Sequence, residues 1–223
     1  MSGWNSIWPV PRTPSRPWNK RMRTRYEKLR IPVSRLASAA AVFFLVFSTS
    51  RWEGESEIMT TGLFSLGMFL VAIGSLGRMW CSVYIAGYKD RTLITQGPYS
   101  VCRNPLYFFS TFGALGVGFC TETFTFPLAL LIVMILYYPL VVRKEEQRLR
   151  QRFGSGFDDY AKRVPAFFPK LSLFIEPATY TVNPIVYRRH MFSALWFVWI
   201  VGLIELAEGL KEMGWIPSFW SLY

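Results

Sequence analysis

The chain has 223 residues, 52% of them hydrophobic, and a mean hydropathy of +0.24. This composition is too apolar for an ordinary soluble domain and is typical of a helical membrane protein. Three widely spaced cysteines without a CxxC pair, and a single histidine, support neither a disulfide framework nor a zinc site, so we expect no bound metal. We expect Cys81, Cys102 and Cys120 to be buried packing residues.

A formal net charge of +11 indicates either a nucleic-acid partner or anionic membrane lipids. The charge begins in an N-terminal stretch where Trp4, Trp8 and Trp18 lie among prolines and precede a basic run. We therefore predict that residues 1–30 form a basic arm that binds anionic lipid headgroups at the cytoplasmic surface. Residues 31–223 are predicted to form a single membrane domain.

Five apolar segments follow the arm, each near the ~20 residues that a helix needs to cross a bilayer. They cover residues 31–49, 58–84, 106–120, 124–142 and 191–210. The sequence therefore predicts an all-α, polytopic membrane protein with about five transmembrane helices and additional cytoplasmic amphipathic helices.

Small residues in the second and third segments predict that these two helices pack closely. Small side chains allow helix backbones to approach each other in lipid. The glycines concerned are Gly62, Gly67, Gly74, Gly77, Gly113, Gly116 and Gly118.

The distribution of positive charge predicts the orientation of these helices. With the N-terminus in the cytoplasm, Arg51 and Lys211 are the only residues among the 25 Lys and Arg that lie outside. Positive charge is concentrated in the cytoplasmic loops of membrane proteins, so we expect a cytoplasmic N-terminus and an external C-terminus. The net charge then reflects topology, and we expect no nucleic-acid partner. Glu205 and Glu208 are expected to mark the outer water interface of the last helix.

The segment 93–107 connects the second and third apolar segments. Gly97-Pro98 marks a turn, and Pro105 suits the first turn of the third helix. Arg103 is therefore expected at the entrance of a membrane helix. On its own, Arg103 is better explained as a headgroup anchor.

The segment 143–169 continues the fourth helix out of the bilayer and carries the adjacent carboxylates Glu145 and Glu146. One interpretation is a solvated helix with the pairs Glu146–Arg150 and Glu145–Arg148, worth ~0.2–0.5 kcal/mol each. The alternative is that at least one carboxylate faces a partner or a polar cavity, because the two adjacent carboxylates directly follow a membrane helix in the leaflet where positive charge is favoured.

Taken together, these two segments resemble a known family. The series begins before the third helix with Gln-Gly-Pro-Tyr at 96–99 and Arg-Asn-Pro-Leu-Tyr at 103–107. An apolar stretch follows, and after it come Glu-Glu at 145–146, Phe-Gly at 153–154, Tyr160 and Arg-Val-Pro at 163–165. This series resembles the isoprenylcysteine carboxyl methyltransferase and phospholipid methyltransferase superfamily over about residues 90–170. The resemblance does not extend to the arm or to the first and last helices.

The resemblance implies an enzyme that binds S-adenosylmethionine in a cytoplasm-facing cavity between membrane helices and methylates a lipid-like or prenylcysteine-like acceptor. Arg103 and Glu146 would be the catalytic pair, with Arg103 binding the cofactor carboxylate and Glu146 accepting from its hydroxyl or ammonium groups. The cofactor-binding positions would be Gln96, Gly97, Tyr99, Arg103, Asn104, Tyr107, Glu145, Glu146, Tyr160 and Arg163. Many relatives have histidine at the positions of Gln96 and Asn104, so a histidine-dependent role is not implied here.

Two other functions remain open from the sequence. The first is a sterol-type membrane reductase that uses NADPH and has a similar arginine-proline-tyrosine signature. The second is a nonenzymatic lipid-binding or scaffold protein. No strand followed by GxGxxG is present, so an adenosyl cofactor would require an architecture other than a Rossmann unit. The acceptor group remains open among carboxylate, amine and thiol.

Overall fold

A computed structural model describes residues 42–86, 88 and 92–223 of the chain. The predicted arm and most of the first apolar segment lie outside the described residues. Residues 42–223 belong to one compact unit.

Helices make up most of the described structure, as the sequence predicts. The elements in chain order are β1 (Ser48–Ser50), α1 (Trp52–Glu55), α2 (Glu57–Ile85), α3 (Pro98–Val101), α4 (Pro105–Phe119), α5 (Thr125–Phe153), α6 (Ser155–Arg163), a 3₁₀ turn (Leu171–Leu173), α7 (Pro184–Ala194), α8 (Trp196–Glu212) and β2 (Trp220–Leu222).

Three helical stretches in the described part are long and apolar enough to cross a membrane: Glu57–Ile85, Thr125–Phe153 and Pro184–Glu212. The helix Pro105–Phe119 is apolar but shorter. Many large apolar side chains on these helices are exposed, including Leu136 and Leu203, as expected for surfaces that face lipid. The membrane class is confirmed, while the number of five helices stays a prediction.

The first predicted segment ends earlier than its apolar pattern suggests. Residues 42–47 are helical, but Ser48–Ser50 form β1, which pairs in parallel with β2. The backbone N–H of Arg51 also donates to Leu222 O at 2.8 Å. Pairing with a strand at the far end of the chain supplies hydrogen bonds to these backbone groups in place of another helical turn.

Close packing of α2 against α4 confirms the role predicted for the glycines. A Cβ atom on Gly74 would lie 2.4 Å from the backbone N of Gly113, and one on Gly116 would lie 2.6 Å from Gly67 O. Gly62 and Gly118 are exceptions. A Cβ atom on Gly62 would have nothing within 4 Å of it, and one on Gly118 would lie 2.8 Å from the backbone N of Pro127 on α5. The three cysteines are fully buried, as expected.

The bundle has two different ends. The end that we call the strand end carries β1 and β2, where Lys211 Nζ donates to Ser48 O at 2.6 Å and the Arg51 guanidinium lies 4.4 Å from the centroid of the Tyr223 ring. The end that we call the motif end carries residues 92–107 and 143–183. Arg51 and Lys211 thus share the strand end, which agrees with the charge count.

Candidate functional site

A tight turn before α3 fixes the start of the motif end. Gly97 has a φ of +59°, and a Cβ atom there would lie 2.3 Å from the ring of Tyr84, so only glycine fits. The Gly97 N–H donates to Ile175 O at 2.8 Å, and its carbonyl accepts from Ser100 Oγ at 2.7 Å. The turn therefore attaches the segment before α4 to the chain that follows α6.

Arg103, at the entrance of α4, forms an ion pair with Glu146 on α5. Arg103 Nε donates to Glu146 Oε1 at 2.9 Å, and the two side chains are only 15% and 21% exposed. Arg103 Nη1 donates to the carbonyls of Ala161 and Val164. The ion pair therefore joins two membrane helices to the end of α6, and removing one partner would leave a largely buried charge unpaired.

The interpretation of Glu146 as part of a solvated helical pair is wrong. Its partner in that interpretation, Arg150, instead donates from Nε to Asp158 Oδ1 at 2.7 Å, which connects α5 to α6. Glu146 faces the interior because its position on α5 lies toward α4, where Arg103 supplies the opposite charge.

Asn104 supports the same carboxylate. Its Nδ2 donates to Ala166 O at 2.9 Å and lies 3.4 Å from Glu146 Oε1, and the residue is buried. An amide satisfies both acceptors without titrating near neutral pH, so this position needs no histidine to hold Glu146.

Two tyrosines and a cysteine at the motif end stay protonated at neutral pH. Burial raises the pKa of Tyr160 and of Tyr99, and the Tyr160 hydroxyl donates to Tyr99 O at 2.7 Å. Burial also raises the pKa of Cys102 to about 11, and its thiol lies 2.9 Å from Phe167 O. Cys102 is therefore a packing residue and not a nucleophile.

A polar cavity of about 180 Å³ lies at the motif end. Predicted site residues line it together with apolar residues from α2 and the segment after it. The predicted residues are Tyr99, Arg103, Asn104, Tyr107, Glu145 and Tyr160. Glu145 lines this cavity without taking part in the Arg103–Glu146 ion pair.

Besides Glu146, three other predicted residues do not line this cavity. Gln96 is exposed in the turn, and Gly97 contributes its backbone conformation. Arg163 is exposed at the C-terminal end of α6, where its Nε donates to Asp159 O at 3.2 Å. A cation at this position stabilises the end of the helix, which explains Arg163 without a ligand.

A larger, apolar cavity of about 690 Å³ lies between α4, α5 and residues 166–168. Its walls are aromatic and aliphatic, as at Phe108, Met134 and Phe167, and Glu146 lines its polar end. The adjacent carboxylates Glu145 and Glu146 therefore face different cavities. The Arg103–Glu146 ion pair stands between them.

A third space, an open groove of about 480 Å³, contains a residue that the sequence motifs did not single out. Arg78 lies within α2 and lines this groove with Tyr107 and Tyr138. Its signal in the sequence is a charge inside an apolar segment. Tyr107 also lines the polar cavity and Tyr138 also lines the apolar cavity, and the two rings meet edge to face at 5.2 Å.

Comparisons with known proteins agree with this architecture. The family description Phospholipid methyltransferase matches residues 56–156. The chain is 36% identical over 190 residues to the nickel-cobalt-cadmium resistance protein NccN of Alcaligenes xylosoxydans xylosoxydans, covering 85% of this chain and 88% of the relative. It is 39% identical over 185 residues to the cobalt-zinc-cadmium resistance protein CzcN of Cupriavidus metallidurans, covering 83% and 84%.

A shorter match connects the chain to an enzyme. It is 31% identical over 81 residues to the protein-S-isoprenylcysteine O-methyltransferase of Schizosaccharomyces pombe, covering 36% of this chain and 34% of the relative. No solved structure matches the chain.

Apolar helices with a polar and an apolar cavity on either side of a largely buried ion pair define an integral membrane protein. Together with the matches, these features identify the family. The chain belongs to the isoprenylcysteine carboxyl methyltransferase and phospholipid methyltransferase superfamily.

Proposed function

We propose that this chain is an integral membrane S-adenosylmethionine-dependent methyltransferase that acts on a lipid-like or prenylcysteine-like acceptor at the cytoplasmic face. The observation that carries the proposal is the position of the Arg103–Glu146 ion pair between the polar and the apolar cavity. Methyl transfer requires the reacting atoms to be held ~3–3.5 Å apart and aligned. A polar donor and an apolar acceptor must therefore meet at a wall that two such cavities share.

The polar cavity suits the chemical groups of S-adenosylmethionine. The carboxylate of Glu145 would bind the ammonium or the ribose hydroxyls, and the rings of Tyr99 and Tyr107 suit the adenine or the sulfonium cation. Its volume of about 180 Å³ lies below the ~300–1,000 Å³ of most ligand pockets. The cavity in this conformation therefore accommodates part of the cofactor.

Arg103 and Glu146 would lie beside the point at which donor and acceptor meet. Within the described residues, the side-chain hydrogen bonds of Arg103 use Nε and Nη1, so we assign Nη2 to the cofactor carboxylate. When bound, S-adenosylmethionine supplies an electrophilic methyl group. Because this donor is already activated, positioning by Arg103, Asn104 and Glu146 is sufficient and no catalytic histidine is required.

The apolar cavity suits the chain of the acceptor. At about 690 Å³ it falls in the ~300–1,000 Å³ range of ligand pockets, and its aromatic lining would bind an isoprenoid or acyl chain. The acceptor atom would lie near Glu146, at the polar end. The charge count supports a cytoplasmic location for this end, and the basic arm would bind anionic lipid headgroups.

Two rival functions make different predictions about ligands. A sterol-type reductase would bind NADPH in place of the adenosyl cofactor, and a nonenzymatic lipid-binding protein would bind neither. Two of the similar proteins are named for resistance to nickel, cobalt, zinc or cadmium. Among the described residues no group of three or more His, Cys, Asp or Glu side chains gathers in one place, and our proposal involves no metal.

Binding and transfer by the purified full chain test the proposal. We expect saturable binding of S-adenosylhomocysteine but not of NADPH, and transfer of labelled methyl groups from S-adenosylmethionine to lipids extracted from the host. Arg103→Gln and Glu146→Gln should each reduce transfer by about 100-fold or more, since both groups line the reacting wall. The matched control, Arg150→Gln, removes an exposed ion pair and should retain activity.

Each rival has a distinct outcome in this experiment. Binding of NADPH without S-adenosylhomocysteine would favour the reductase. Full transfer by folded Arg103→Gln and Glu146→Gln proteins would show that the wall between the cavities is not the reaction site. The labelled lipid, once identified, would reveal whether the acceptor atom belongs to a carboxylate, an amine or a thiol.

A further inference from the structure

Arg78 occupies an unusual position for a cation. It lies inside the membrane-spanning helix α2, seven residues before the last residue, Ile85, or ~10 Å from the helix end at 1.5 Å per residue. The Cα–Cβ bonds of a helix tilt toward its N-terminus, so the Arg78 side chain starts out away from the motif end. A simple headgroup anchor at the nearest interface would point the other way.

The neighbours of Arg78 leave its charge uncompensated. Nη1 donates to Ser110 Oγ, Nη2 lies 3.4 Å from Ser193 Oγ, and the guanidinium lies 5.6 Å from the centroid of the Phe197 ring. Nε is buried and has no hydrogen-bond partner in the described part of the chain. Within that part no carboxylate lies at ion-pair distance from Arg78. Two hydroxyls and a ring do not neutralise a cation in an apolar environment.

The groove beside Arg78 has room for a ligand of about the size of a lipid headgroup and part of a chain. Its volume is about 480 Å³, and its lining includes Ala114 of α4, Met134 of α5 and Trp196 of α8. None of its lining residues carries a carboxylate. The groove thus combines one cation with apolar and aromatic walls.

We propose that this groove binds an amphiphile with an anionic carboxylate or phosphate headgroup. The anionic oxygens would accept from Nη2 of Arg78, the donor that the protein holds only by a long contact. The apolar part would lie along Met134 and Trp196. Charge complementarity selects an anion over a neutral lipid, and the apolar walls select an amphiphile over a free ion. The proposal does not require that the chain transfers methyl groups.

Binding measured by native mass spectrometry of the full chain in a neutral detergent tests this proposal. The probes are oleate, oleoyl lysophosphatidate and, as a neutral amphiphile with the same chain, monoolein. We expect the preferred anionic probe to bind about tenfold more tightly than monoolein. Arg78→Gln should remove this preference, whereas Arg150→Gln, which removes an exposed cation at the motif end, should leave it unchanged.

Several results would overturn the proposal. Arg78→Gln could retain the preference, or Arg150→Gln could reduce it equally, which would assign the effect to general surface charge. Displacement of the amphiphile by millimolar inorganic phosphate alone would show a site for free anions. The melting temperature shows whether Arg78→Gln folds. If it does not fold, Ala114→Phe fills the groove and leaves the cation intact. Unchanged binding of the anionic probe to Ala114→Phe would equally contradict the proposal.

Discussion

The two faces of α4 differ in how they contact their neighbours. The face toward α2 has no spare room, since a methyl group on Gly74 would meet the backbone of Gly113 at 2.4 Å. The face toward α5 borders the apolar cavity of about 690 Å³ and the groove of about 480 Å³. One helix therefore has a closed side and an open side.

This difference assigns separate tasks to the two faces. In lipid, helices associate through close packing of small residues. Burial of apolar side chains between helices contributes little to association, because the lipid tails are equally apolar. The closed face fixes α4 and so the position of Arg103 and Asn104 at its start. On the open face, the polar contacts of Glu146 hold α5 at the motif end. Ligands can therefore enter where packing is loose without displacing the residues that would position them.

Closing the tight face further should have the largest effect. Gly74→Ala places a methyl group against backbone atoms that cannot move aside, so we expect a loss of about 3 kcal/mol in the free energy of unfolding. Gly62→Ala is the matched control, because nothing lies within 4 Å of the added atom. Denaturation in mixed detergent micelles measures both. Equal stability of the two variants would contradict the closed face.

Cutting the polar contact on the open face should have the next largest effect. Glu146→Gln removes the charge that pairs with the largely buried Arg103, and we expect a loss of about 2 kcal/mol in stability. Glu145→Gln is the control, since Glu145 takes no part in this ion pair. Glu145→Gln should weaken binding of S-adenosylhomocysteine and leave stability within about 0.5 kcal/mol. The opposite pattern would reverse the assignment of the two carboxylates.

Filling the open face should affect the acceptor alone. Leu131 lines the apolar cavity, so Leu131→Trp should reduce kcat/KM for the acceptor about tenfold, or ~1.4 kcal/mol, without changing the affinity for S-adenosylhomocysteine. Leu136→Trp adds the same bulk at a position that is 68% exposed and should have little effect. If both substitutions act alike, the cavity is not the acceptor site.

The smallest effect is expected from a single hydrogen bond at the motif end. Tyr160→Phe removes the bond from the buried hydroxyl to Tyr99 O and should cost about 1 kcal/mol of stability. Tyr137→Phe, at an exposed position, is the control. Thermal unfolding of both variants measures the difference, and an unchanged midpoint for Tyr160→Phe would show that this bond does not secure α6.

Features that depend on local pattern were predictable from the sequence. Apolar length indicated the membrane helices, and repeated glycines indicated the contact of α2 with α4. The motif spacing brought Arg103 and Glu146 to one end of the bundle, where they form an ion pair. The helices and their contact follow from patterns of residues close in sequence. The shared location of Arg103 and Glu146 follows because one precedes a membrane helix and the other follows one at the same membrane face.

Features that depend on the direction of a side chain were not predictable. Glu145 and Glu146 are neighbours in sequence, yet rotation of ~100° per residue along α5 turns them toward different cavities. Arg163 belongs to the same motif series but is exposed at the end of α6. The carbonyls of Ala161 and Val164, which accept from Arg103, carry no side-chain signal at all.

The contact between Tyr107 and Tyr138 makes the internal space of this protein adjustable. Each ring is a partition, one between the polar cavity and the groove and the other between the apolar cavity and the groove. Rotation of Tyr107 about its side-chain bonds would merge about 180 Å³ with about 480 Å³, without movement of any helix. A ligand too large for the polar cavity would thus gain space from a change in a single rotamer, that of Tyr107.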